Sequence, residues 1–329
     1  LRLWLQRSRR TAPLDSGESA IGKLIVGICL AGAATVALAA APPLFETLRW
    51  TAPGAELEAL STQPSACLSH HPRDKPMVQA GQALFNTPAL LGGQAAKAGL
   101  SCASCHVNGR DNPHFMLAGV SDKAGTADVT NSFFSPARGN ARFDPVPIPD
   151  LAVPGKISRE ADEKALEPFI RTLIVEEFAG HEPSFAMLDA LAAYVRAIQY
   201  CPGGGRDAVP RKLDDQFGLI DAAITGAKEM AERNDRQAFR TLIAAARHQL
   251  GVIAERYASS SLVRERALLL KASRELQALG QEQDAVRALA NWQSRFNGPT
   301  ANRLRAAEPL SLYDDARLST LVAPQRESR

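Results

Sequence analysis

Cys102-Ala103-Ser104-Cys105-His106 is the stretch on which the reading of this chain turns. Two thiols one helical turn apart share a face, and a histidine follows at once. This is the C-x-x-C-H spacing of haem attachment. The thiols of Cys102 and Cys105 add to the two vinyl groups as thioethers, and the His106 imidazole becomes the proximal iron ligand. Three other readings compete. A redox dithiol belongs beside a βαβ pattern, and none surrounds this motif. A structural zinc site needs a second ligand pair, such as another C-x-x-C, which the sequence lacks. The third is chance, against which stands an export signal upstream. One covalently attached haem c is therefore the expected cofactor.

That export signal is the apolar run 24–45, in which no charged residue interrupts the chain between Lys23 and Glu46. Its length spans a bilayer core of ~30 Å at about 1.5 Å per residue. Arg2, Arg7, Arg9, Arg10 and Lys23 precede it, so the positive-inside rule puts residues 1–23 in the cytoplasm and the rest across the membrane. The rival reading is a cleaved leader, since Ala39-Ala40-Ala41 looks like a cleavage site. Pro42 follows directly and fits a protease poorly, which favours an uncleaved anchor. Cys29 then sits in the span as a small apolar side chain. The expected location is a bacterial inner membrane, single-pass, with the haem-bearing part periplasmic. Residues 46–75 read as a polar tether.

The whole chain has 329 residues, 45% apolar and 22% charged, which excludes a disordered or collagen-like protein. A net charge of +3 from 38 basic and 35 acidic residues is too balanced for an obligate nucleic-acid binder. The length favours more than one folded unit. Five cysteines are too few for a disulfide scaffold, so their placement is what informs.

Around the motif lie two amphipathic segments. Met77 to Leu91 contains Gly81-Gln-Ala-Leu-Phe85, and residues 185–199 carry Leu188, Leu191, Val195 and Ile198 on one face. With the motif between them, the region resembles a c-type cytochrome domain, whose first and last helices cross beside the haem. The long insertion before Cys102 and the stretch Gly125-Thr-Ala-Asp-Val-Thr-Asn-Ser-Phe133-Phe134 resemble the bacterial dihaem cytochrome c peroxidase family more specifically. The resemblance covers about residues 65–203. It departs from the family in one respect: this chain has a single haem motif. The nearest thing to a second is Cys67-Leu-Ser-His70-His71, where a histidine replaces the second cysteine and only a single thioether is conceivable. If the helices pack as the resemblance implies, Cys67 and Cys201 approach each other, and an oxidising compartment permits a disulfide between them.

The distal iron position is open among several candidates. Met187 lies in the last apolar helix and reads as core. His181 sits in the loop Ala179-Gly180-His181-Glu182-Pro183, where by resemblance a c-type cytochrome delivers its distal ligand. Met116, ten residues beyond His106, has enough chain to pass round a haem edge, with His114 a weaker alternative. No protein ligand at all is a further possibility. Residues 107–160 read as a long irregular wrap with little helix. Phe115, Phe133, Phe134 and Phe143 within it are candidates for an apolar haem pocket, and Arg138 and Arg142 for propionate partners, unless simply exposed. The run Pro145-Val-Pro-Ile-Pro149 reads as stiff and structural.

Cys201-Pro202-Gly-Gly-Gly205 reads as a hinge, giving a cytochrome segment over 76–203 and a helical segment over 204–329. In the latter, Leu213, Phe217, Ile220, Ile224 and Ala231 form one stripe. Phe239, Leu242, Ala246, Leu250, Ile253 and Tyr257 form a second. Helices over about 262–279 and 281–296 meet at Gly280, a pair weakly similar to a tetratricopeptide repeat. The expected fold is mainly α: an N-terminal transmembrane helix, a c-type cytochrome domain with long irregular loops, and a C-terminal antiparallel helical bundle for docking or assembly. His248 reads as an ordinary histidine, and residues 297–329 as a tail suited to wrap on a partner.

Two functions follow. The first is a membrane-anchored monohaem electron carrier, docked on a membrane redox complex or another cytochrome. The second is a peroxidase-like enzyme reducing hydrogen peroxide at an open iron, against which the missing second haem weighs. A non-redox accessory subunit is a third reading.

Overall fold

The computed structural model describes residues 45–69, 76–158, 165–202, 208–280 and 284–322. They are mainly helical and belong to one compact unit, Pro42–Arg329. The expected span 24–45 lies outside the described residues except for Phe45, and Cys29, His70, His71 and the glycines of the expected hinge lie outside them too. Among the described residues no helix is long and apolar enough to cross a membrane.

In chain order the α-helices are α1 (Glu56–Ser61), α2 (Pro76–Phe85), α3 (Gly93–Ala98), α4 (Cys102–Cys105), α5 (Leu166–Thr172), α6 (Phe185–Ala197), α7 (Leu213–Glu232), α8 (Arg236–Arg256), α9 (Val263–Leu279), α10 (Ala285–Arg295), α11 (Ala301–Ala307) and α12 (Asp315–Val322). The strands are short and pair antiparallel: β1 (Thr62–Pro64) with β6 (Ala208–Pro210), β2 (Cys67–Leu68) with β5 (Ile198–Gln199), and β3 (Thr126–Ala127) with β4 (Val146–Pro147). Two of these ladders bring residues 62–68 against the chain that follows α6.

Two glycines set the helix crossings. A Cβ on Gly81 of α2 would stand 1.9 Å from the Ala190 carbonyl oxygen of α6, so these helices pack backbone to backbone. Gly226 of α7 does the same against Ala80, where a Cβ would come within 2.7 Å of the Ala80 Cα and Cβ. Through α2 the apolar faces of α6 and α7 therefore merge. Val78, Leu84, Leu191, Ile220, Ile224 and Leu250 are buried in one continuous core. The helical C-terminal third thus shares its core with α2 and α6, because α2 is apolar on two sides.

α7 and α8 are joined by the three residues 233–235 and pack along each other as an antiparallel pair. Asp235 caps α8 by accepting from Ala238 N–H. α9 packs on α8 and α10 on both α7 and α9, in line with the expected bundle.

Two expectations are corrected. Residues 46–69 of the proposed tether are folded: Trp50 and Leu60 are buried, and the Ala52 and Met116 amides bond to the His114 and Trp50 carbonyls. Apolar side chains at this density find a core rather than remain solvated. Residues 297–322 of the expected tail pack on their own molecule. Leu304 and Leu318 are buried, the Tyr257 hydroxyl donates to the Leu304 carbonyl at 2.7 Å, and Leu318 and Val322 close on Phe45 and Leu60.

Candidate functional site

The motif forms α4, a single turn of helix as its spacing required. The Ser101 amide donates to Ser104 Oγ at 3.0 Å, which fixes the start of the turn. The Asn112 side chain donates to the Ser104 carbonyl at 2.8 Å, and Asn108, at φ 52°, turns the chain away after His106. Cys102 and Cys105 are free thiols, partly accessible and packed on the core. Burial pushes both up to about 12, so both thiols are protonated at ordinary pH.

His106 is oriented by one hydrogen bond. Its Nδ1 lies 3.0 Å from the carbonyl oxygen of Pro149. A carbonyl only accepts, so Nδ1 carries the proton and Nε2 presents its lone pair. Metal-bound histidines are tied through their other ring nitrogen in this way. Burial holds the ring down at about 4, so it is neutral at ordinary pH. Phe85, at the end of α2, has its ring 6.4 Å from that of His106 and packs edge-on against Tyr194 at 5.2 Å. The α2–α6 crossing thus delivers two aromatic rings beside the motif.

These residues fit a covalently bound haem: two neutral thiols on one turn, an imidazole with a free Nε2, and aromatic side chains next to it. The group itself would bring a one-electron iron couple. Among the described residues no group of three or more His, Cys, Asp or Glu is arranged to hold a metal ion. A zinc site made with Cys102 and Cys105 therefore lacks a further ligand pair there, whereas a haem iron takes at most two ligands from protein.

The proline run does more than stiffen the chain. In the fold it supplies the acceptor for His106. Val146 and Pro147 pair with Ala127 and Thr126, the Ile148 amide donates to Gly125, and Leu151 N–H donates to the Gly109 carbonyl. Pro149 is pinned between these bonds. No local signal in the sequence marks its carbonyl, since the contact spans 43 residues.

Cys67 and Cys201 form a disulfide, with Cα atoms 5.1 Å apart. The Cys67 sulfur is therefore occupied, which excludes a single-thioether haem at Cys67–His71. The distal candidates are dispersed. His181 is exposed and Met116 half-buried, while Met187 is buried in the core as read from its helix. His114 faces Glu58 at 3.7 Å. Arg138 is engaged by Glu176 at 3.4 Å and Glu177 at 3.2 Å, and Arg142 is exposed. Neither arginine has a hydrogen bond or ion pair to the motif. Of the phenylalanines expected around a haem, Phe115 and Phe134 are buried in the core, whereas Phe133 and Phe143 are exposed.

A cleft of about 700 Å³ borders α4, lined by Ala103, Ser104, Arg110, Glu46, His248 and Glu255 among others. Burial and the neighbouring Glu255 push Glu46 up to about 7, and burial raises Glu255 to about 6. His248 is driven down to about 4 by burial alone. No family model, no curated protein and no solved structure matches the chain.

Proposed function

We propose that this protein is a monohaem c-type electron carrier, held at a bacterial inner membrane by residues 24–45, with its N-terminus cytoplasmic and its haem-bearing part periplasmic. The observation that supports this most is the orientation of His106: Nδ1 donates to Pro149, so Nε2 is free on the turn that carries Cys102 and Cys105. In this reading the two cysteines anchor the group, His106 ligates its iron, and Phe85 and Tyr194 exclude water from that side. The Cys67–Cys201 disulfide is in keeping with an oxidising compartment. The helical C-terminal part would seat the carrier on a membrane redox complex or another cytochrome.

The test is visible absorption of the purified full chain, ferric and ferrous, with a pyridine haemochrome and a peroxide addition. A thioether-type haemochrome and a six-coordinate low-spin spectrum unaffected by peroxide are expected. A chain without covalent haem overturns the proposal. A high-spin spectrum that responds to peroxide replaces the carrier with a peroxidase.

A further inference from the structure

One buried ion pair stands between the motif and the loop that holds His106. Arg110 lies four residues beyond His106 and is only 2% exposed. Its Nε is 2.9 Å from both Asp150 oxygens, and its Nη2 is 2.9 Å from Oδ2. Asp150 directly follows Pro149 in the chain. Its Oδ1 also accepts from the Ala152 amide at 2.9 Å, so the carboxylate shapes the turn that presents the Pro149 carbonyl. The Arg110 guanidinium is stacked 4.5 Å over the Tyr200 ring, and the Tyr200 hydroxyl reaches Asp150 at 3.4 Å. Tyr200 adjoins Cys201, so the disulfide braces the far side of the pair.

Burying two full charges is costly, and an apolar pair of similar volume would hold a loop without that cost. What the ion pair adds is a fixed direction: a planar guanidinium whose Nε meets both carboxylate oxygens and whose face is stacked on Tyr200 has little freedom to rotate. The next residue back is the one acceptor that sets the tautomer of His106.

We propose that Arg110 and Asp150 act as a positioning clamp that aligns the Pro149 carbonyl with His106 Nδ1 and thereby sets the donor strength of Nε2 toward iron. This rests on the haem reading above. A well-aligned Nδ1–H···O=C bond makes the imidazole a stronger donor, which favours ferric iron and lowers the reduction potential. Releasing the clamp should do the reverse. Neither residue touches the iron; both act through Pro149.

The test uses the full chain with Arg110→Lys and, separately, Asp150→Asn, followed by proton NMR of the His106 Nδ1–H in the diamagnetic low-spin ferrous state and by potentiometric titration. Arg110→Lys keeps the charge but loses the planar guanidinium and its stack on Tyr200. With haem retained and far-UV circular dichroism unchanged, its Nδ1–H resonance should move upfield and exchange faster with solvent, and its midpoint potential should rise. Asp150→Asn should shift both in the same directions, which gives a second measurement if the lysine variant fails to fold. An unchanged resonance and potential in a folded, haem-loaded Arg110→Lys overturns the clamp while leaving the haem reading standing. So does a potential that rises in Asp150→Asn with no movement of the resonance, since that is an effect of charge alone. A wild-type chain with no covalent haem overturns both.

Discussion

Replacing Cys67 and Cys201 together by serine tests how the two ends of the segment 65–203 are held. The bond spans 134 residues of sequence, nearly the whole of that segment. In the chain-entropy model the closed loop costs the unfolded ensemble about 17 cal/mol/K, or about 5 kcal/mol at 25 °C. The folded state has little to lose. β2 and β5 remain paired, Ser69 N–H donates to the Ala197 carbonyl at 2.7 Å, and β1 pairs with β6 beyond. The double variant should therefore keep its far-UV circular dichroism and visible spectrum while losing most of that stabilisation. For a unit of this size, about 2 °C per kcal/mol converts the loss to a fall in Tm of about 10 °C. Thermal unfolding at several scan rates, with urea unfolding alongside, measures it. A loss below about 1 kcal/mol would show that the unfolded chain is already compact there and refute the reasoning.

Three further outcomes are expected. Cys102→Ser with Cys105→Ser should abolish haem that survives denaturing electrophoresis, whereas either single change should leave one thioether and a red-shifted haemochrome band; persistence of covalent haem in the double variant would count against α4 as the attachment site. Gly81→Ala forces a Cβ to 1.9 Å from the Ala190 oxygen and should destabilise by about 3 kcal/mol or more, and Gly226→Ala by about 1–3 kcal/mol, as read by urea midpoints. Equal midpoints for wild type and Gly81→Ala would mean that the α2–α6 crossing is wider than described. Glu46 has a folded pKa of about 7 against an ordinary 4.5, so its contribution is fully present below pH 4.5 and is lost as pH rises toward 7. Allowing for solvent screening of this partly exposed group, the effect is about 1–2 kcal/mol, and Glu46→Gln should lessen the slope, leaving the share due to Glu255, itself raised to about 6. Stability curves that stay parallel for wild type and variant between pH 4.5 and 7.5 would sink this assignment.

By itself the sequence determined whatever depends on neighbours along the chain. The five residues of the motif put two thiols on one turn, the arrangement that the proposed thioether attachment needs. Apolar stripes placed α2, α6, α7 and α8, and the lack of them left residues 107–158 irregular apart from a short 3-10 turn and two-residue strands. Met187 was legible as core for the same reason. The tertiary structure decided whatever depends on residues distant in sequence. Pro149 reaches His106 across 43 residues, and Arg110 meets Asp150 across 40, so no local pattern announces either. Nor could local pattern show that residues 46–69 fold rather than trail, since Trp50 and Leu60 are buried by partners that come from elsewhere in the chain. Side-chain chemistry is local, whereas the hydrogen bond that tunes it is made only when the chain closes on itself.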